Sequence, residues 1–184
     1  MAEVGEVEKA GGCGDAEWQT YAEPSDAHKI LQERFHGEFT YKTEFFKEGQ
    51  EEPLYSSPGK GHCENIFEGR FVRVHYICED NGMGGTFHGE ETLGYDNCKK
   101  YYTSSWINNM ATAVCNATGS YDAEEDVLTT TSFYDYPHGK GELKNVIKFV
   151  KDGDKVTGSV MEAFSPGKDG LPFRHMRVTR TVNS

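Results

Sequence analysis

Two neighbouring stretches carry ionisable side chains at a spacing that would let them act together. Arg73 and His75 alternate along one, and His88 and Glu90 along the next. A two-residue repeat keeps each pair on one side of an extended strand. Antiparallel neighbours hold same-face side chains about 5 Å apart, so the four would offer a guanidinium, two imidazoles and a carboxylate. Such a set suits an anionic or hydrogen-bonding ligand head, or proton transfer. Zinc would need Glu90 or His175 as a further ligand, and no H-E-x-x-H or H-x-H spacing supports it, so no metal is expected. Glu90 and Glu91 point to opposite faces, and at most one of them can enter an enclosed space. Arg177 shares a face with His175 and Phe173, which adds a second guanidinium beside Arg174 and Arg180. Tyr41 and Trp106 would supply aromatic walls, whereas most other rings (Phe45, Tyr101, Tyr102, Phe133, Phe149) are expected in the core. The expected ligand contacts are therefore Tyr41, Arg73, His75, His88, Glu90, Trp106 and Arg177, with no catalytic residue and no cofactor assigned. The plainer alternative for each is structural: solvent-facing histidines, surface arginines and an ion-paired glutamate. Gly82-Met83-Gly84-Gly85 lies between strands and reads as a turn, not a phosphate cradle; Cys98 and Cys115 lack a base partner.

The elements that must hold these residues are strands. Alternation with period two predicts them over 37–47, 60–67, 69–79, 85–95, 100–107, 111–121, 126–135, 142–151, 154–164 and 172–182. Turn clusters separate them: Ser57-Pro58-Gly59, Asp80-Asn81-Gly82, Tyr95-Asp96-Asn97, Pro137-His138-Gly139, Ser165-Pro166-Gly167 and, most clearly, Lys151-Asp152-Gly153-Asp154. One helix is expected after Pro24, capped by Ser25 or Asp26, with Ile30, Leu31 and Phe35 on one face. Residues 1–24 lack periodicity and read as a disordered or loosely attached acidic arm, leaving 25–184 as a single domain. About ten antiparallel strands with no helices between them must remove their edges, and closure into a barrel does so best; a two-sheet sandwich is the rival. Several strands are polar on both faces, which fits a barrel enclosing water or a ligand.

Composition narrows the partners. The net charge of -11 disfavours both nucleic acid and anionic membranes. Only 36% of residues are hydrophobic and the mean hydropathy is -0.69, a deficit offset by 11 Phe, 10 Tyr and 2 Trp. No apolar run is long enough for a membrane helix. The acidic start resembles no signal peptide, and five cysteines without C-x-x-C spacing read as free thiols in a reducing cytoplasm.

His28-Lys29-x-Leu31, Gly37-Glu38-Phe39, Glu68-Gly69-Arg70-Phe71, Leu93-Gly94-Tyr95-Asp96, Tyr101 to Trp106, Gly119 and Thr179-Arg180 occur in order. Together they resemble the bacterial domain-of-unknown-function family 1579 over about residues 26–182. The resemblance implies a lipocalin-like (calycin) barrel and assigns no activity. Barrels of this kind often carry Gly-x-Trp on the first strand, with a basic residue of the last strand packed across the indole. Here Phe39 takes the place of that Trp, and Arg177 or Arg180 is the expected partner.

The fold expected is thus all-β, a roughly ten-stranded antiparallel lipocalin-like barrel with one short N-terminal helix. The leading function is binding of a small, partly apolar molecule in the lumen. An enzyme using that lumen for acid–base chemistry, such as an isomerase, cyclase or hydratase, is the alternative. A structural or assembly subunit with a filled barrel is the third. The ligand's identity and the oligomeric state are not encoded in any motif found.

Overall fold

The computed structural model describes residues 15–80, 84–136 and 139–183. Ten strands follow two short helices, α1 (Asp15–Ala22) and α2 (Asp26–Arg34). The strands are β1 (Glu38–Phe45), β2 (Tyr55–Ile66), β3 (Phe71–Cys78), β4 (Phe87–Asp96), β5 (Tyr101–Asn108), β6 (Cys115–Asp122), β7 (Val127–Tyr136), β8 (Gly139–Asp152), β9 (Lys155–Pro166) and β10 (Pro172–Val182). Each pairs with its sequence neighbour in antiparallel fashion, and β1 pairs with β10 from Phe39↔Val182 to Phe45↔Met176, closing the barrel. Closure satisfies the edge groups that an open meander would expose. The barrel reading holds and the sandwich is excluded.

Local sequence explains the corners. Asp152↔Lys155 is the last pair of the β8–β9 hairpin, leaving Gly153-Asp154 as a two-residue turn with Gly153 at φ +59°. Positive φ at such a turn matches the twist of the flanking strands. A bulge between Arg174 and Met176 on β10 re-phases that strand near its start.

The structure departs from the sequence reading in two places. Ser57-Pro58-Gly59 belongs to β2 and is not a turn. There β2 pairs with β1 alone, because its ladder to β3 begins only at Lys60, so a residue without an N–H is tolerated. The second departure is α1, which lies inside the expected arm. Its C-terminal end is held by distant side chains: Asn97 donates to the carbonyls of Tyr21 (3.0 Å) and Glu23 (2.9 Å), and Arg70 to that of Ala22 (2.9 Å). Residues 1–14, and the turn positions 81–83 and 137–138, lie outside the described residues.

α2 closes one end of the barrel. Leu31 and Phe35 are buried, with Phe35 edge-on to Phe149 at 5.4 Å. Polar contacts pin the helix: Gln32 donates to the Gly69 carbonyl at 2.9 Å, and Arg34 to Asp126 at 2.8 Å. The other end is ringed by the β1–β2, β3–β4, β5–β6, β7–β8 and β9–β10 connections. Among the described residues, no helix is long and apolar enough to cross a membrane.

Candidate functional site

Burial alternates along the strands and identifies the inner face. On β3 it is Val72, Val74, Tyr76 and Cys78; on β4 it runs through Gly89, Glu91 and Leu93. Tyr41 of β1 and Trp106 of β5 also face inward, as the sequence suggested. Tyr41 is buried and packs edge-on against Tyr76 at 5.5 Å, and Trp106 meets the same Tyr76 ring at 5.5 Å. Gly59 and Gly61 on β2 give the rings of Tyr41 and Phe39 room, since a Cβ at either position would overlap the ring. The wall from β1 to β5 is therefore aromatic. The opposite wall carries small and hydroxylic side chains, Ala117 on β6, Thr130 and Ser132 on β7, Asn145 on β8, and Ser159 and Ala163 on β9, interspersed with Leu128, Ile147, Phe149 and Met161.

Several inward side chains at mid-strand, including Tyr76, Trp106, Asn145 and Met161, keep accessible surface although a closed sheet surrounds them. The interior is thus not packed solid. Glu91 points inward among these side chains and is half-buried. Burial pushes its pKa up, against the hydrogen bond that Ser104 donates at 2.5 Å. Burial likewise raises the Tyr41 and Tyr76 hydroxyls, and it lifts the Cys63 thiol to about 11. Tyr41 Oη, Ser132 Oγ and Asn145 Oδ1 are buried without a hydrogen-bond partner. Each such group costs free energy unless something in the interior meets it.

Five of the seven expected contacts lie elsewhere. Arg73, His75, His88 and Glu90 occupy the opposite phase of β3 and β4 and face the outer wall. Three of them do meet. Arg73 lies 3.4 Å from Glu90 and donates to Glu64 at 3.2 Å, while His75 stands between the same two carboxylates and stacks on His62 at 4.4 Å. Their half-exposed setting makes this a surface ion-pair network that holds Glu64 below the usual carboxylate range through the His75 hydrogen bond, partial burial opposing. His88 is exposed and outside the network. Arg177 is also on the outer wall, sharing Glu162 with Arg174 (2.9 and 2.8 Å) beside the Phe46 ring. His175 sits in the β10 bulge within hydrogen-bond reach of Ser165, and its pKa is lowered by burial.

The residue that does cross the first-strand aromatic is Arg180. Its guanidinium lies 4.6 Å from the Phe39 ring centroid and 5.6 Å from that of Phe35, and it donates to the His36 carbonyl at 3.1 Å. Glu91 and Arg180 are the interior ionisable groups that the expected set lacked. The signal for Glu91 was present: on β3 the uniformly apolar phase is Val72, Val74 and Tyr76, and its cross-strand partners on β4 are Leu93, Glu91 and Gly89.

A closed ten-stranded antiparallel barrel, capped by a helix and lined by aromatic and polar side chains, is consistent with a lipocalin-like fold. The chain belongs to the family described as Protein of unknown function (DUF1579), which matches residues 23–181, from just before α2 almost to the end of β10. A comparison with curated proteins finds no match.

Proposed function

We propose that the protein binds a small, partly apolar molecule non-covalently inside the barrel. One observation carries this reading: the buried, unpartnered polar atoms of Tyr41, Ser132 and Asn145 on inward-facing positions of an interior that is not packed solid. A filled structural barrel has no use for such groups, whereas a guest with an apolar body and a few hydrogen-bonding atoms would meet both the aromatic and the hydroxylic wall. Glu91 favours a second reading, acid–base catalysis in the same space, because burial raises the pKa of this carboxyl beside Ser104, the direction that suits a proton donor. The binder is the simpler case, since the hydrogen-bond partner of the Glu91 carboxyl is Ser104 and not a second titratable group. The four described cysteines are free, which suits a reducing cytoplasm, and the acidic chain suits neither nucleic acid nor an anionic membrane surface as partner.

Trp106 supplies the test, because it lines the lumen against Tyr76 and Phe87 while Trp18 is exposed on α1. With Trp18→Phe as background, titration with 1-anilinonaphthalene-8-sulfonate should quench Trp106 emission at a saturable 1:1 stoichiometry. Unsaturable binding, or binding that leaves Trp106 emission unchanged, would place the dye on the surface and contradict the reading.

A further inference from the structure

We propose that the Arg180 guanidinium forms an anion site inside the barrel, and that the guest carries one oxyanion head, such as a carboxylate, on an apolar body. The proposal rests on the lumen-binding reading and adds the chemical class of the guest.

Arg180 stands apart from the other arginines of the chain. Of the six, Arg34, Arg70, Arg73, Arg174 and Arg177 each hold a carboxylate within 4 Å. Arg180 is 5% exposed and holds none among the described residues. The rings of Phe39 and Phe35 account for the face of its guanidinium. The in-plane donors are a separate matter: Nη2 reaches the His36 carbonyl, but Nε and Nη1 are buried without any acceptor. A guanidinium keeps its charge in a protein, and a buried charge without a partner is costly.

No neighbour inside the barrel supplies the missing anion. Burial drives Glu91, Tyr41, Tyr76 and Cys63 toward their neutral forms, although the Arg180 charge reaches both Cys63 and Tyr76. Tyr41 lies opposite Arg180 in the β1–β10 ladder, but its ring turns over Gly59 of β2, so its hydroxyl is directed away from the guanidinium. The free in-plane N–H groups of Arg180 can instead hold an oxyanion through charge-assisted hydrogen bonds.

The test uses straight-chain carboxylates from butyrate to dodecanoate and the matching alcohols, titrated by calorimetry at fixed ionic strength. The whole chain should bind its best carboxylate at least tenfold more tightly than the alcohol of equal length. Ser159→Asp, which places a carboxylate directly across the β9–β10 ladder from Arg180, should abolish the preference while alcohol binding persists. Because this variant leaves the Arg180 contacts with Phe35 and Phe39 intact, the test does not depend on a variant lacking the arginine. Equal affinity for carboxylate and alcohol in the unmodified chain would overturn the anion site and leave lumen binding standing. Binding of neither series would overturn both.

Discussion

Glu91 is the residue at which burial and chemistry meet most directly. Its folded-state pKa lies above the usual carboxylate value of 4.5 because burial outweighs the Ser104 hydrogen bond. The protonated form therefore favours folding, so stability declines as pH rises above about 4.5 toward the folded-state value. Glu91→Gln retains the shape without the titration. Thermal unfolding should show the variant about 2–4 °C more stable at pH 7, with no gain at pH 4. A loss of stability at pH 7 would show that the native carboxylate is ionised and paired. That Glu91 rather than Glu90 enters the lumen was legible in principle from the apolar phase of β3, since register carries that phase onto β4. The polar phase attracted attention because Arg73, His75 and Glu90 do come together, but on the wet side of the wall. Spacing shows which side chains share a face; it does not say which face is inside when both carry polar groups.

At the scale of elements, α2 depends on a histidine for its start. The Ser25 N–H donates to Nδ1 of His28 at 3.0 Å, so His28 fills the position that Glu or Gln takes in a capping box. Its other contacts are the Tyr95 backbone and ring and the nearby charge of Arg70, while Lys29 and Asp26 pair with each other on the exposed side. Burial, more than the Arg70 charge, holds its pKa below 6.5, and burial lowers His36 and His175 in the same direction. For a depressed histidine pKa, stability is full above about 6.5 and is lost as pH falls through the folded-state values. Protonating Nδ1 also removes the acceptor for the Ser25 N–H. Urea unfolding at pH 8 and pH 5.5 should show a smaller acid loss for His28→Gln than for the unmodified chain; an equal loss would assign the acid sensitivity to His36 and His175 instead. The start of α2 was readable because Ser25 and Asp26 are local signals. α1 was not, because the groups that grip its end, Arg70 and Asn97, lie far along the chain. The early start of β2 was hidden by Pro58, which only its one-sided pairing makes admissible.

For the whole molecule, closure is the organising fact. Ten period-two segments without intervening helices implied it, and the β1–β10 ladder achieves it. The same ladder settles which arginine crosses Phe39: Tyr41↔Arg180 faces inward and Glu44↔Arg177 faces outward, a distinction that depends on register and on the β10 bulge. Closure also turns a weakly hydrophobic sequence into a protein with an enclosed, partly polar interior. We propose that this interior holds a guest. Native mass spectrometry of the full chain purified from its own source, without detergent, tests it most directly. The expected result is a discrete adduct of one small molecule per chain that is released on denaturation and that ionises as an anion once freed. A chain that flies at its bare mass under gentle conditions, and that acquires no adduct when incubated with a lipid and metabolite extract of that source, would contradict it.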